Sequence, residues 1–410
     1  MDEADEIEIV RIGARGDGVG MRGNDPVYVP FALPGERWRI GGAGRDAVRT
    51  GEGPLGSADP VCRHFVRCGG CVAQHMPPDV YCAWKRDLVV EAFRHRGIEA
   101  DVRALVTVAA GSRRRAVFGV MLKAQEVLLG FREEASHTLV DLSECPVLDP
   151  AIVSAFDGLR ALAQRLLRDG ETGRFVVTKL DHGLDVAADI PRKAFSADER
   201  AALASLAREI KLLRLSIGDE PIMAAGPPAV TIAGAAIPFE PGLFLQAVPD
   251  AEQALAQLCV AALPKRAKSV VDLFSGVGTL TLPLARRVSV SAFDSDRRAI
   301  AALSGAVRHA QGLKPVTARV RDLFQEPLSA RELSGFDAAF FDPPRAGGAA
   351  QAERIAGSKV PVVVAVSCNP ATLARDARTL IDGGYRLGEV TPVDQFVYSA
   401  HVEAVAVFRR

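Results

Sequence analysis

The rhythm of apolar positions changes three times along the chain. In the first fifty residues short β-type runs alternate with turns: Ile7–Ile12, then Gly16-Asp17-Gly18, then Val27–Val29, Pro34-Gly35 and Trp38–Ile40. Strand and turn signals spaced this closely predict a small β-barrel. The stretch Gly41–Asp59, rich in Gly and holding Pro54, predicts a loop or linker. A helix is expected over Pro78–Arg96. A mixed stretch follows, with helices at Ala151–Leu167 and Ala197–Glu209 and strands at Phe175–Lys179 and Leu212–Ser216. From about Glu240 strands and helices alternate. The apolar runs Val270–Leu273, Val288–Phe293, Ala338–Phe341 and Val362–Ser367 are separated by helix-like stretches such as Leu280–Arg287, Arg297–Gln311 and Pro370–Asp382. That alternation predicts an α/β fold with a parallel sheet covered on both faces. The expected division is 1–52, 53–236 and 237–410, with the 78–96 helix free to pack on the last unit.

Composition adds bounds. The 410 residues are 48% hydrophobic and 24% charged, enough to bury a core. No apolar run approaches the roughly 18 residues of a membrane helix. The acidic start, Met1 to Ile9, is not a signal peptide, so a soluble, cytoplasmic protein is expected. Formal net charge is zero. A nucleic-acid partner would therefore need a local basic surface. Residues 1–60 carry seven Arg against eleven Asp and Glu, so the first segment is a poor source of it. Arg113-Arg114-Arg115 and Arg63 with Arg67 are better candidates.

Candidate chemistry sharpens the picture. In DLFSGVGT, residues 272–279, Asp272 ends an apolar strand, and Gly276 and Gly278 allow a sharp turn and close approach of a ligand to backbone. Asp294 ends the next strand and Asp322 follows the one after. Acids at successive strand ends suit ribose hydroxyls. The spacing is not Gly-x-Gly-x-x-Gly, and it fits an S-adenosylmethionine site better than a dinucleotide site. Further on, Asp342-Pro343-Pro344-Arg345 stiffens the backbone beyond another strand. Then Cys368, in Ser367-Cys368-Asn369-Pro370, sits between a strand tip and a helix start. There the helix dipole is expected to favour its thiolate. Glu403, in His401-Val402-Glu403, lies among apolar residues, so burial and a raised pKa are expected.

Seven cysteines are present: Cys62, Cys68, Cys71, Cys82, Cys145, Cys259 and Cys368. An odd number without an export signal argues against a disulfide framework. Cys62, Cys68 and Cys71 share a Gly-rich loop, and Cys145 in Ser-Glu-Cys-Pro supplies a distant fourth. Four thiolates suit zinc or an iron–sulfur cluster. Cys82 and Cys259 read as core residues.

Together these residues resemble the RNA uracil-5-methyltransferase family, over nearly the whole chain. The nearer resemblance is to the branch that acts on 23S ribosomal RNA and carries a 4Fe-4S cluster. The resemblance implies a Rossmann-like, S-adenosyl-L-methionine-dependent methyltransferase domain in the last unit. It also implies an OB-like TRAM barrel in the first, around Val29-Pro30 and Leu33-Pro34-Gly35-Glu36, and an iron–sulfur α+β unit between them. Cys62, Cys68, Cys71 and Cys145 match the cluster ligands. Gln246, Asp272, Phe274, Gly276, Gly278, Asp294, Asp322 and Asp342 fall at cofactor-site positions. Cys368 matches the nucleophile and Glu403 the proton-abstracting base. Phe396 and Phe274 are candidates for lining the base pocket. The implied partner is RNA, with transfer RNA as the alternative substrate and a non-catalytic iron–sulfur RNA-binding protein as the remaining reading. No membrane partner is expected, and the chain is expected to act as a monomer.

Overall fold

The computed structural model, which describes residues 5–41 and 47–410, sorts the strands into three large sheets and a two-stranded ribbon. The C-terminal sheet has eight strands. Their spatial order is Val316–Val320, Ser289–Asp294, Ser269–Leu273, Ala338–Phe341, Val362–Ser367, Glu403–Arg409, Arg386–Val393 and Asp101–Val102. The first five run parallel. Glu403–Arg409 runs antiparallel to both neighbours. The expected all-parallel sheet is thus corrected at one side. A parallel return needs a crossover of about a dozen residues or more, and the brief stretch between Val393 and Glu403 is too short for one.

Alternate residues of these strands enter opposite apolar layers, as strands covered on both faces require. Val270, Phe340, Val364 and Val405 pack with the helix Pro249–Ala262. Val271, Phe341, Val363 and Phe408 pack on the other face with Pro370–Asp382. The helix Pro78–Arg94 joins this second layer through Val89 and Phe93. Asp101–Val102 then adds an edge strand to the same sheet. This early segment is therefore part of the C-terminal core.

From Ser269–Leu273 the chain builds outward through Ser289–Asp294 and Val316–Val320, then crosses back to Ala338–Phe341 on the opposite side. The order reverses between Ser269–Leu273 and Ala338–Phe341. Ligands bind beyond the carboxyl ends of strands at such a reversal.

The middle sheet has seven strands, of which the sequence pattern suggested two. Arg115–Lys123, Glu126–Arg132 and Leu139–Asp141 extend it on one side of Thr172–Leu180, and Gly183–Asp189, Leu212–Ile217 and Glu220–Ala224 on the other. The expected helix Ala151–Leu167 is two, Pro150–Ser154 and Phe156–Leu166, broken at Ala155. Leu280–Arg287 shortens to Thr281–Ala285.

The N-terminal sheet is antiparallel, in the order Asp25–Val29, Gly18–Arg22, Asp5–Ile12, Arg37–Ile40, Ala47–Gly51. Its small core is Ile7, Ile9, Val29, Ala32 and Ile40. Among the described residues no pairing closes Asp25–Val29 onto Ala47–Gly51. The expected linker 41–59 is corrected by the strand Ala47–Gly51, whose Val48 pairs with Arg39. Residues 42–46 of that stretch lie outside the described ones. Among the described residues no helix is long and apolar enough to cross a membrane.

Candidate active site at the sheet reversal

The glycine loop leaves Leu273 at the reversal. Gly276 takes φ +53° and Gly278 φ +101°, values that L side chains rarely adopt. A Cβ on Gly276 would meet open space, so that face of the loop is free for a ligand. A Cβ on Gly278 would come 2.6 Å from Leu303 Cδ1, so here the glycine serves helix packing. Phe274, between them and the strand, is itself left-handed at φ +62° and packs on the exposed Phe324 ring at 5.3 Å.

The three acids at strand ends divide by role. Asp294 Oδ2 accepts from Gly276 N at 2.8 Å and its Oδ1 from Asp296 N at 2.8 Å, so it braces the glycine loop. Asp322 is exposed and accepts from Phe324 N, holding the turn after Val316–Val320. Asp272 is fully buried. Its Oδ2 accepts from Thr281 Oγ1 at 2.5 Å, while Oδ1 has no partner among the described residues. Burial, and then the charges of Asp342 and Asp294, raise its pKa to about 7 despite the Thr281 bond.

A chain of polar side chains crosses from this loop to the far strand. Gln246 Nε2 donates to Asp342 Oδ2 at 3.2 Å. Gln395 Nε2 donates to Gln246 Oε1 at 2.8 Å and to Glu403 Oε2 at 3.1 Å. Gln246, Gln395 and Glu403 are all buried. Gln246 is held by a buried ion pair: Arg114 Nη2 meets Glu252 Oε2 at 2.6 Å, and Arg114 Nε donates to Gln246 O at 2.9 Å. Burial raises the pKa of Asp342, and burial with the Asp342 charge raises Glu403. The buried, raised Glu403 expected from its apolar neighbours is what the fold provides.

Cys368 follows the strand Val362–Ser367, and Asn369 caps the next helix by accepting from Ala371 N at 3.1 Å. Asn369 Nδ2 also donates to Arg345 O at 3.1 Å, tying this tip to the Pro-Pro loop. The expected lowering of the thiol pKa by the helix dipole is overturned. Burial, then Glu403 and Asp342, push Cys368 up to about 11, against a weaker favourable charge from Arg345. A dipole end carries only about half a charge, and two nearby carboxylates outweigh it.

The cysteine cluster converges as a set. Cys62, Cys68, Cys71 and Cys145 line one cavity of about 400 Å³, together with Arg113, Phe396 and His401. Burial, and then mutual repulsion with Cys145, Cys68 and Cys62, push Cys71 to about 12 even with a Gln74 bond. Among the described residues no three His, Cys, Asp or Glu side chains stand at the spacing of a closed metal site. Cys259 lies in the core and Cys82 packs beside Tyr81 and Trp84.

The expected basic patch at Arg113–Arg115 is also corrected. Arg114 is buried in its pair with Glu252, and Arg113 Nε donates to Arg115 O while its guanidinium stacks 5.9 Å from the Phe396 ring. Arg63 and Arg67 remain exposed, paired with Glu144 and Glu133. The sequence placed Gln395 in a reactive-centre motif, Asp394-Gln395-Phe396 before His401-Val402-Glu403, without giving it a role of its own, and gave no role to Lys85.

A family model described as tRNA (uracil-5-)-methyltransferase matches residues 316–410, the stretch that carries Asp342, Cys368 and Glu403. The chain is 45% identical to an uncharacterised RNA methyltransferase of Brucella suis biovar 1, over 99% of this chain and 98% of that one. It is 32% identical to the 23S rRNA (uracil(1939)-C(5))-methyltransferase of Chromohalobacter salexigens, over 99% of this chain and 90% of the relative. The solved structure of Pyrococcus abyssi tRNA (uracil-54, C5)-methyltransferase with S-adenosyl-L-homocysteine superposes at a TM-score of 0.75 and 22% identity, over 98% of this chain and 100% of that one, which is a likeness of fold. Similarity at this level and extent means that the chain belongs to the RNA uracil-5-methyltransferase family.

Proposed function

We propose that this chain methylates carbon 5 of a uracil in RNA, with 23S ribosomal RNA as substrate, Cys368 as nucleophile and Glu403 as base. The observation that carries the reading is the set Cys368, Asp342, Gln246 and Glu403 around one strand-end crevice, linked by hydrogen bonds or by mutual charge.

Uracil C5 is a poor nucleophile. Cys368 gives its thiol proton to solvent, and attack of the thiolate at C6 pushes the C5=C6 electron pair toward O4 and makes C5 electron-rich. S-adenosylmethionine would supply an electrophilic methyl group to C5. Glu403 then removes the C5 proton, the C5–H pair re-forms C5=C6, and the C6–S pair returns to Cys368. The target base must leave its stack to reach the thiol. The raised carboxyls shape the proton traffic: a neutral Asp342 relieves part of the repulsion that holds Cys368 as a thiol, and leaves Glu403 to serve as the base.

The residues present fit the methyl donor. Among the described residues Asp272 Oδ1 and Ser275 Oγ are buried without partners and the acids here lack a bonded cation, which suits a ligand carrying sulfonium and ammonium charge. Gln246, Asp272, Phe274, Gly276, Gly278, Asp294, Asp322 and Asp342 would surround it.

The four thiols around one cavity fit a 4Fe-4S cluster held by Cys62, Cys68, Cys71 and Cys145. A cluster is bulkier than a single ion, so its ligands stand farther apart. It would serve structure or RNA placement, since no step above consumes electrons. Anaerobically purified protein is expected to be brown with about four iron atoms. A colourless protein with one zinc overturns the assignment. The N-terminal sheet is proposed as a TRAM-like RNA contact.

The test is methyl transfer to a 5-tritiated uridine transcript. Wild type should release tritium and Cys368→Ala none; release by the variant overturns the nucleophile. Transfer RNA is a second reading, favoured by the description of the family model. Mapping 5-methyluridine in both RNAs of a deletion strain separates the two.

A further inference from the structure

The amide of Gln395 touches both Gln246 and Glu403, and its geometry has one consistent orientation. Nε2 spends its two hydrogens on Gln246 Oε1 at 2.8 Å and Glu403 Oε2 at 3.1 Å. With Glu403 ionised, the state in which it acts as a base, turning the amide over would set the Gln395 carbonyl against two acceptors and lose both bonds. Gln246 is fixed in the same sense, because its own Nε2 donates to Asp342 Oδ2. Among the described residues Gln395 Oε1 is left buried without a donor, a cost normally avoided. The residue next door, Asp394, is anchored by Lys85 and Tyr81, so the backbone at Gln395 cannot drift. Among the described residues Glu403 Oε1 carries no protein hydrogen bond, in contrast to Oε2.

We infer that Gln395 is a positioning residue for the proton-abstraction step. It holds Glu403 by Oε2 and so directs Oε1 at the C5 proton, and it ties the base to Gln246 at the methyl-donor side. The inference rests on the covalent reading above. In the step it serves, Glu403 Oε1 bonds the C5 proton, the C5–H electron pair becomes the C5=C6 bond, and the C6–S pair leaves with Cys368. A hydrogen bond to the charged carboxylate also favours the ionised base, and among the described residues Gln395 is its only hydrogen-bond donor.

The experiment uses the full chain and two transcripts, one with 5-tritiated uridine and one with 5-fluorouridine. Fluorine cannot leave C5 as a cation, so the second traps the covalent adduct before base removal. Gln395→Met is expected to trap adduct as wild type does. It should release tritium about tenfold more slowly at neutral pH, with the acid limb of release moved up by about one pH unit. Methylated adduct should accumulate on uridine RNA. An unchanged rate and pH profile overturns the inference. So does a parallel fall of trapping and release with the acid limb in place, since that marks a merely structural role. If Gln395→Met does not fold, Gln395→Glu carries the test: a carboxylate beside Glu403 must also move the acid limb upward, and an unmoved limb overturns the inference. Failure of wild type to trap 5-fluorouridine RNA overturns the covalent reading and this inference with it. Normal trapping by wild type with no effect of either variant overturns this inference alone.

Discussion

Two buried charge clusters meet at adjacent residues, Asp394 and Gln395, and they are built on opposite rules. In the first, Lys85 is wholly buried, yet its ammonium meets Asp394 Oδ1 at 2.8 Å, Phe396 O at 3.1 Å and His401 O. Tyr81 OH donates to Asp394 Oδ2 at 2.5 Å and accepts from Tyr398 N at 2.8 Å. Every charge has its counterpart. In the second, Asp272, Asp342, Glu403 and Cys368 crowd together, and among the described residues no lysine or arginine forms an ion pair with any of the three carboxylates. The first cluster is complete when the chain folds and pins the 394–401 loop to the helix Pro78–Arg94. The second carries its electrostatic debt into the folded state, which is where a cationic ligand and a proton-transfer reaction would find it. Burial alone does not mark a functional site; burial without compensation does.

Breaking the matched cluster should have the largest effect on stability. Lys85→Met leaves the Asp394 carboxylate buried and half-satisfied, an expected loss of about 3–5 kcal/mol in urea denaturation. Methylation should fall with it as the loop carrying Phe396 and His401 loosens. Lys85→Met combined with Asp394→Leu should recover much of the stability. A single variant as stable as wild type would mean that the pair is not charged in the fold.

The unmatched cluster should answer with the opposite sign. Glu403→Gln removes one of the crowded carboxylates without changing size. We expect a gain of about 1–3 kcal/mol at pH 8, together with loss of tritium release and persistence of a methylated RNA–protein adduct on denaturing gels. Destabilisation by this variant would place Glu403 with the matched cluster instead.

The same contrast explains what was legible in the sequence. The parallel strands of the C-terminal sheet, its glycine loop and Cys368 were readable because strand and helix periods there are regular and the turns are short; the strand order and its reversal were not. Glu403 was readable as buried because its neighbours Val402 and Ala404 are apolar. Lys85 was not, since a lysine in a helix reads as solvated; only the return of Asp394, more than three hundred positions later, gives it a partner. The Cys368 pKa failed for the same reason: the helix start is local, while Glu403 and Asp342 arrive from other strands. The middle sheet was largely missed because Arg115–Lys123 begins inside an arginine run, and Arg114 turned inward to Glu252 only through tertiary pairing.

A pH series sharpens the comparison further. Glu403 has a folded pKa above its ordinary 4.5, raised first by burial and then by Asp342. Its folded form therefore binds a proton more tightly than the unfolded chain. The stability this contributes is full below the unfolded value and is lost as pH rises through the folded one. Wild type should thus lose stability between about pH 5 and pH 8, by up to about 1.4 kcal/mol per pH unit for each such group. Glu403→Gln should flatten the decline, measured by urea midpoints across the range. An equally steep decline in the variant would assign the effect elsewhere.

The smallest expected effect tests Asp272, whose Oδ2 accepts a side-chain hydrogen bond from Thr281 Oγ1. Thr281→Val keeps the shape and removes the donor. With Asp272 raised to about 7, the lost bond is neutral at pH 5.5 and charge-assisted at pH 8.5. The loss should be about 1 kcal/mol at the lower pH and roughly twice that at the higher, because a donor to a carboxylate is worth more than a donor to a carboxyl. Equal losses at both pH values would mean that Asp272 does not ionise between them, and that this acid awaits no cation.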